Sequence, residues 1–154
     1  MYASKPGRPP HILLVEDDPN DVELTRQGFL AAAITVTLDH VENGAECLRY
    51  LKREDRYADA PTPDLVVLDL NMAVMNGREV LERISAQPEL RHLPVVILTT
   101  SSNPTDVVDL YARGCNAYVV KPVDFERFIE LISQLCSFWF SVATLPSSGF
   151  GAIR

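Results

Sequence analysis

The sequence predicts an α/β fold in which one parallel β-sheet carries helices on both faces. Three observations lead there. Five short apolar runs recur along the chain, four of them nearly unbroken in Val, Ile and Leu, as strands covered on both faces are. Segments opening on helix-start signals follow each run, so strand and helix alternate five times. The chain of 154 residues, 47% apolar and 23% charged, suits one domain with a single sizeable core.

The elements follow in order. Residues 1–10, "MYASKPGRPP", are Pro-rich, lack an apolar signal core, and read as a disordered or extended segment. "HILLVE" (11–16) is the first strand, and Asn20-x-x-Glu23 marks the first helix start. "TVTLDHV" (35–41) alternates at Val36 and Leu38, then breaks before Val41, as an edge strand would. Asn43-x-x-Glu46 opens the second helix. The polar stretch "KREDRYADAPTP" (52–63) is long for a connection and reads as a solvated loop or, alternatively, a partner-contact loop. "DLVVLD" (64–69) is the third strand and Asn76-x-x-Glu79 the third helix start. "PVVILT" (94–99) is the fourth strand; Asn103-x-x-Asp106 then caps a helix with Pro104 at its first position and Gly114 at its end. "AYVV" (117–120) is the fifth strand, and a fifth helix begins near Asp124. In each signature a side-chain oxygen accepts from an orphan backbone N–H, and a carboxylate three residues on meets the positive helix end.

In the last helix, Phe125, Ile129, Ile132, Cys136 and Trp139 fit one buried stripe at spacings of three and four. That leaves Phe128, Leu131, Leu135, Phe138 and Phe140 off the stripe and in need of a second cover. The expected cover is a second copy in a two-fold dimer; the alternative is the tail "SVATLPSSGFGAIR" folding back.

Composition excludes several classes. A net charge of −7 argues against a nucleic-acid surface, which needs clustered Lys and Arg. No apolar run approaches the ~20 residues that span a bilayer. Three cysteines without metal-ligand spacing read as free thiols in a reducing cytoplasm.

Chemistry collects at the strand ends. In an open parallel sheet, ligands gather outside the carboxyl ends of the strands. There the first run ends in Glu16-Asp17-Asp18, the third in Asp69, the fourth in Thr99-Thr100-Ser101 and the fifth in Lys121-Pro122. A strand-end Asp alone is usually a turn former, an acidic pair a helix-start charge and Lys-Pro a loop; their meeting on one edge reverses that judgement. Several carboxylates in one cleft call for a cation, and oxygen-only ligands suit Mg²⁺. A lysine, a hydroxyl and the ion would serve the three peripheral oxygens of a transferring phosphoryl group, with Asp69 as nucleophile.

The motifs "LVEDDP", "VVLDLNM…MNG", "ILTTS" and "YVVKP", in this order, resemble the receiver domain of bacterial two-component response regulators over about residues 11–137. The resemblance implies a flavodoxin-like, doubly wound sheet of order 2-1-3-4-5. It makes Asp69 the phospho-acceptor and Asp17 and Asp18 the acidic pair that holds Mg²⁺ (Mn²⁺ as substitute), with the Asn71 backbone carbonyl completing the metal site. Thr99 matches the switch hydroxyl, Tyr118 the aromatic that follows it inward, and Lys121 the lysine that pairs with phosphate; the bond to Pro122 is expected to be cis. Asn71 and Ser101 fall where receivers tune attack by water, and Thr100 where access of small phosphodonors is set, which implies an intermediate to long phosphoryl lifetime. Ala73 stands where proline is frequent and Asn76 where aspartate is, departures that bear on the rigidity of that loop only.

The long loop and "FWFSVATLP" resemble stand-alone receivers paired with phytochrome-type histidine kinases. The expectation is a cytoplasmic receiver domain over 11–144 with a tail at 145–154, homodimeric through its fourth helix, fifth strand and fifth helix. It would have neither nucleic-acid nor membrane partners, and would catalyse only its own phosphorylation and dephosphorylation. The alternatives are a phosphate carrier or sink without output, or a degenerate scaffold. A multiple-turnover phosphatase needs Asp-x-Asp, and Asp69-Leu70-Asn71 lacks the second carboxylate. A dinucleotide module needs a Gly-rich loop where "EDDPND" stands.

Overall fold

The computed structural model describes residues 8–146. Its elements are β1 (His11–Val15), α1 (Pro19–Ala31), β2 (Thr37–Val41), α2 (Gly44–Lys52), a 3₁₀ turn (Asp55–Tyr57), β3 (Leu65–Leu68), α3 (Gly77–Ala86), β4 (Val95–Thr99), α4 (Pro104–Ala112), β5 (Ala117–Val120) and α5 (Phe125–Ser137). A π-helical turn (Phe138–Val142) continues α5. The five strands are parallel in the order β2-β1-β3-β4-β5. Val15 pairs with Leu68, Leu68 with Ile97, and Thr99 with Val120, so the carboxyl ends finish along one rim.

Strand alternation divides the apolar residues into two cores. Leu13, Val15, Val66, Leu68 and Ile97 face α2 and α3, meeting Leu48, Leu81 and Ile84. Ile12, Leu14, Val67, Val96 and Leu98 face α1 and α5, meeting Phe29, Phe128, Ile132 and Phe140. Each such side chain contributes about 1.5–3 kcal/mol of burial, so the central strands are the best-anchored part of the chain. β2 is the outer strand expected. Its break in alternation reflects a change of side: Leu38 packs on the α1–α5 core and Val41 on the other.

Four helix starts match the sequence: Asn43, Asn76, Asn103 and Asp124 each accept a backbone N–H from the first turn. The first differs. Asp18, not Asn20, caps α1, its carboxylate accepting from Asn20 N at 2.9 Å. Pro19 takes the first helical position, where its missing N–H costs nothing, and so the cap must precede it. Gly114 follows the end of α4 at φ +107°, a conformation that favours glycine.

The last helix also corrects the sequence reading. Phe128, Leu135 and Phe140, expected at a dimer interface, are buried in the monomer with Ile132 and Cys136. Phe125, assigned to the buried stripe, is 48% exposed. Phe140 follows Cys136 by four residues and shares its buried side, whereas Phe138, in the same π-helical turn, is exposed. Leu145 is also buried, so the start of the tail folds onto this core and the folded unit extends past residue 144; residues 147–154 lie outside those described. At the other end, the expected disorder over 1–10 stops short of Arg8, which pairs with Asp64, and of Pro10, whose carbonyl accepts from Thr37 N; residues 1–7 lie outside those described.

The 52–63 stretch is largely exposed but held at Tyr57, at Ala60, which packs on the core, and at the buried Pro63. Tyr57 packs on Tyr50 with ring centroids 5.4 Å apart and donates to Glu46 Oε1 at 2.8 Å. Cys47, Cys115 and Cys136 are free and buried, and burial pushes the Cys47 and Cys136 thiols up to about 12, leaving them inert. Among the described residues no helix is long and apolar enough to cross a membrane.

Candidate functional site

The rim formed by the strand ends gathers the predicted chemistry. Asp69 leaves β3 with 9% exposure, and Thr99 ends β4 fully buried. Asp69 is fixed by its own backbone, N donating to Val15 O at 3.0 Å. Behind it, Gly77 opens α3 so closely that a Cβ there would lie 2.6 Å from the Asp69 carbonyl. Gly44 likewise lets α2 receive the β3–α3 loop: Gly44 N donates to Val74 O at 3.2 Å, and a Cβ would lie 2.3 Å from the Met75 carbonyl. Ala73 N donates to Asp17 Oδ2 at 3.3 Å, so this loop is held from both sides without the proline that Ala73 replaces in the family pattern.

Carboxylate oxygens of Glu16, Asp17 and Asp69 lie within 4.8 Å of one another, a set that could hold a metal ion. Asp18, predicted as one of the metal pair, is not in that set; its carboxylate is engaged as the cap of α1. Glu16 takes its place. It is 2% exposed and directly follows β1, and its carboxylate accepts from Lys121 Nζ at 2.7 Å and from Asp18 N at 3.2 Å. Lys121 Nζ also donates to Asp21 Oδ2 at 3.3 Å. Sequence reasoning placed Glu16 at the strand end without giving it a role and missed Asp21. No local signal in the sequence marked either: Lys121 becomes near-buried and in need of carboxylates only in the fold.

Electrostatics follow from this crowding. Burial first, and the Glu16 charge second, push the Asp69 carboxyl up to about 7, against the opposing pull of Lys121. Burial works to lower the Lys121 ammonium, but Glu16, Asp69 and Asp21 together outweigh it and its pKa is raised. Hard oxygen donors in excess of cations fit a divalent ion, which would offset the burial and the Glu16 repulsion that raise the Asp69 pKa.

The remaining predicted residues surround this centre. Thr99 Oγ1 accepts from Ser101 N at 3.4 Å, and its carbonyl accepts from Lys121 N at 2.7 Å. Tyr118 is half-buried, and its hydroxyl donates to the Ser101 carbonyl at 2.9 Å. Ser101 is not free to face the acceptor: its hydroxyl donates to Asp106 Oδ2 at 2.6 Å. Asn71 and Thr100 are exposed at the rim. The Lys121–Pro122 bond is trans, not cis as expected; trans is the form X–Pro bonds favour by about 0.5–1 kcal/mol.

Comparison with known proteins agrees with this geometry. Residues 12–133 match the response regulator receiver domain. The chain is 35% identical over 146 residues to the response regulator Rcp1 of Synechocystis sp., covering 94% of this chain and 99% of that protein. It is similar to the phosphorylated cyanobacterial phytochrome response regulator RcpA, with a TM-score of 0.86, 36% identity and coverage of 92% of this chain and 100% of that one. The Mn²⁺-bound form of Rcp1 gives a TM-score of 0.83 at 36% identity over 90% of this chain and 99% of its own. A matched span running from β1 into α5, on a sheet of order 2-1-3-4-5 with an acidic rim, means that the chain belongs to the response regulator receiver domain family.

Proposed function

We propose that Asp69 accepts a phosphoryl group from a phosphohistidine of a histidine kinase. The P–N bond breaks with its electron pair staying on the imidazole nitrogen, and a P–O bond to an Asp69 carboxylate oxygen forms. The kinase ring leaves neutral because its other nitrogen carries a proton. The observation that carries this reading is the buried Asp69 carboxyl clustered with those of Glu16 and Asp17, with the Lys121 ammonium bound to Glu16. Glu16, Asp17, Asp69 and the Asn71 carbonyl would hold Mg²⁺, which when bound supplies charge neutralisation at the transferring group. Lys121 sits within the same cluster to meet a phosphoryl oxygen, and the Thr99 hydroxyl lies at the end of the adjacent strand. No second carboxylate two residues after Asp69 activates water, so the chain acts once per phosphorylation and is not a turnover phosphatase. Asp69→Asn should abolish phosphoryl uptake from the kinase; label retained by that variant would overturn the assignment.

The kinase is a bacterial phytochrome in this reading, supported by the likeness to RcpA and Rcp1. Phosphotransfer profiling against histidine kinases tests it, and a preference for a kinase without a light-sensing module would count against it.

The chain also pairs with a second copy through α4, β5 and α5. Val108, Tyr111, Val120, Val123, Phe125 and Phe138 are exposed on these elements and their connections, and β5 is an open sheet edge. Of the predicted interface residues, Phe138 is exposed and Leu131 half-buried, both beside β5. Phe138→Asp should convert the dimer to monomer in sedimentation without loss of fold.

A further inference from the structure

α4 is weakly held by apolar burial. Leu110 is its one buried residue, whereas α3 buries Gly77, Val80, Leu81 and Ile84. Charge holds it instead. Arg78 of α3 reaches both α4 carboxylates, Nη2 donating to Asp106 and Nε to Asp109 Oδ2 at 2.8 Å. Arg113, at the end of α4, donates from Nε to Asp109 Oδ1 at 2.9 Å and back across to Glu82 of α3 from Nη1 at 2.9 Å. Ser85 of α3 adds a hydrogen bond to the Arg113 carbonyl at 3.1 Å. Arg113 first, then Arg78, hold the Asp109 carboxyl below its usual range.

This network reaches the phosphoacceptor rim through one carboxylate. Asp106 meets Arg78 with one oxygen and accepts from Ser101 Oγ with the other at 2.6 Å. Ser101 in turn accepts at its carbonyl from the Tyr118 hydroxyl and donates from its N–H to Thr99 Oγ1. The Thr99 hydroxyl is therefore tied, through the Ser101 N–H it accepts, to a residue that Asp106 restrains. A rotation of Thr99 toward a phosphoryl group on Asp69 would strain that 3.4 Å contact. A ligand that binds one of two arrangements has its apparent affinity reduced by whatever stabilises the other.

We infer that Arg78 is a positioning residue, clasping Asp106 and Asp109 so that α4 and the β4–α4 loop stay in the unmodified arrangement and oppose phosphoryl binding at Asp69. This rests on the reading of Asp69 as phospho-acceptor. The Arg78, Asp106 and Asp109 side chains are 30%, 22% and 33% exposed, so salt weakens the clasp.

The test titrates the full chain, in Mg²⁺, with beryllofluoride as a phosphoryl mimic, following binding by NMR. Arg78→Met should bind about fivefold or more tightly than wild type, with Arg78→Lys between them. High salt should narrow the gap by tightening wild type more than the variant. Affinity for Mg²⁺ alone should not change, which separates release of the clasp from general loosening. Asp109→Asn, which cuts two contacts while sparing Ser101, should shift binding the same way by less, and it carries the test if Arg78→Met does not fold. Wild-type binding with unchanged or weaker binding in the variants overturns the clasp alone. Failure of wild type to bind at all overturns the phosphoacceptor reading and the clasp with it.

Discussion

The two rims of the sheet bury ionisable groups in opposite ways. At the amino rim every partner is supplied by the chain. The His11 backbone N donates to Asp64 Oδ2 at 2.7 Å, and Arg8 reaches the other Asp64 oxygen at 3.3 Å. The Tyr50 hydroxyl donates to Asp39 Oδ2 at 2.5 Å, so it accepts from His11 Nε2–H at 2.7 Å, which assigns the imidazole tautomer. At the carboxyl rim, Glu16, Asp69 and Asp21 all act on Lys121, and Asp17 adds a further carboxylate beside Glu16 and Asp69. Burial raises the Asp69 pKa to about 7. Charges that serve the fold are closed by neighbours; those that serve chemistry are left for a ligand to complete.

The contrast is sharpest in its pH dependence. Asp69 has its folded-state pKa raised from 3.8 to about 7, so its contribution is fully present below pH 3.8 and is lost as pH rises through 7. Without divalent metal, Asp69→Asn should therefore be more stable than wild type at pH 8, with the gap closing toward pH 4. Millimolar Mg²⁺ should narrow it at pH 8. Thermal melts in chelator and in Mg²⁺ check this, and a gap that widens on acidification would break the comparison.

The amino rim should respond to loss of a partner instead. Asp64→Ala strands the His11 N–H and the Arg8 guanidinium and should cost about 2–3 kcal/mol in urea unfolding. Phosphoryl uptake per folded molecule should hold, because the two rims lie at opposite ends of the strands. Reduced uptake would show that they are coupled.

The smallest effect belongs to His11. Burial lowers its pKa below 6.5, despite the pull of Asp39 and Asp64 upward, while Arg8 adds to the lowering. Its stability is then present above pH 6.5 and falls as the unfolded chain takes up the proton below it. In an Asp69→Asn background, where the opposite slope is removed, His11→Gln should flatten the loss of stability between pH 6.5 and 5.

The outcome at particular residues shows what the sequence could carry. Asn43, Asn76 and Asn103 were readable as caps because a cap and the backbone N–H that donates to it lie within three residues of each other. Asp69, Thr99 and Lys121 were readable because strand ends in a parallel sheet share a rim whatever their sequence separation. Glu16 and Asp18 were not separable in the same way. Both flank Asp17, and the decision between them came from Pro19 starting α1 and from Lys121 needing a buried partner, 105 residues away. Phe128, Leu135 and Phe140 were misplaced because the stripe was drawn too narrow: each stands three or four residues from Ile132 or Cys136 and packs with them.

Period, caps and the placement of charge at strand ends are local, and the sequence alone determined the five-fold alternation, the acidic rim and the place of Asp69 on it. Only the tertiary structure decided which carboxylate faces Asp69, which face of α5 is buried, and that α4 hangs on Arg78. Those choices depend on side chains brought together from distant elements, where burial turns an ordinary acid or base into one whose partner has to be found in space.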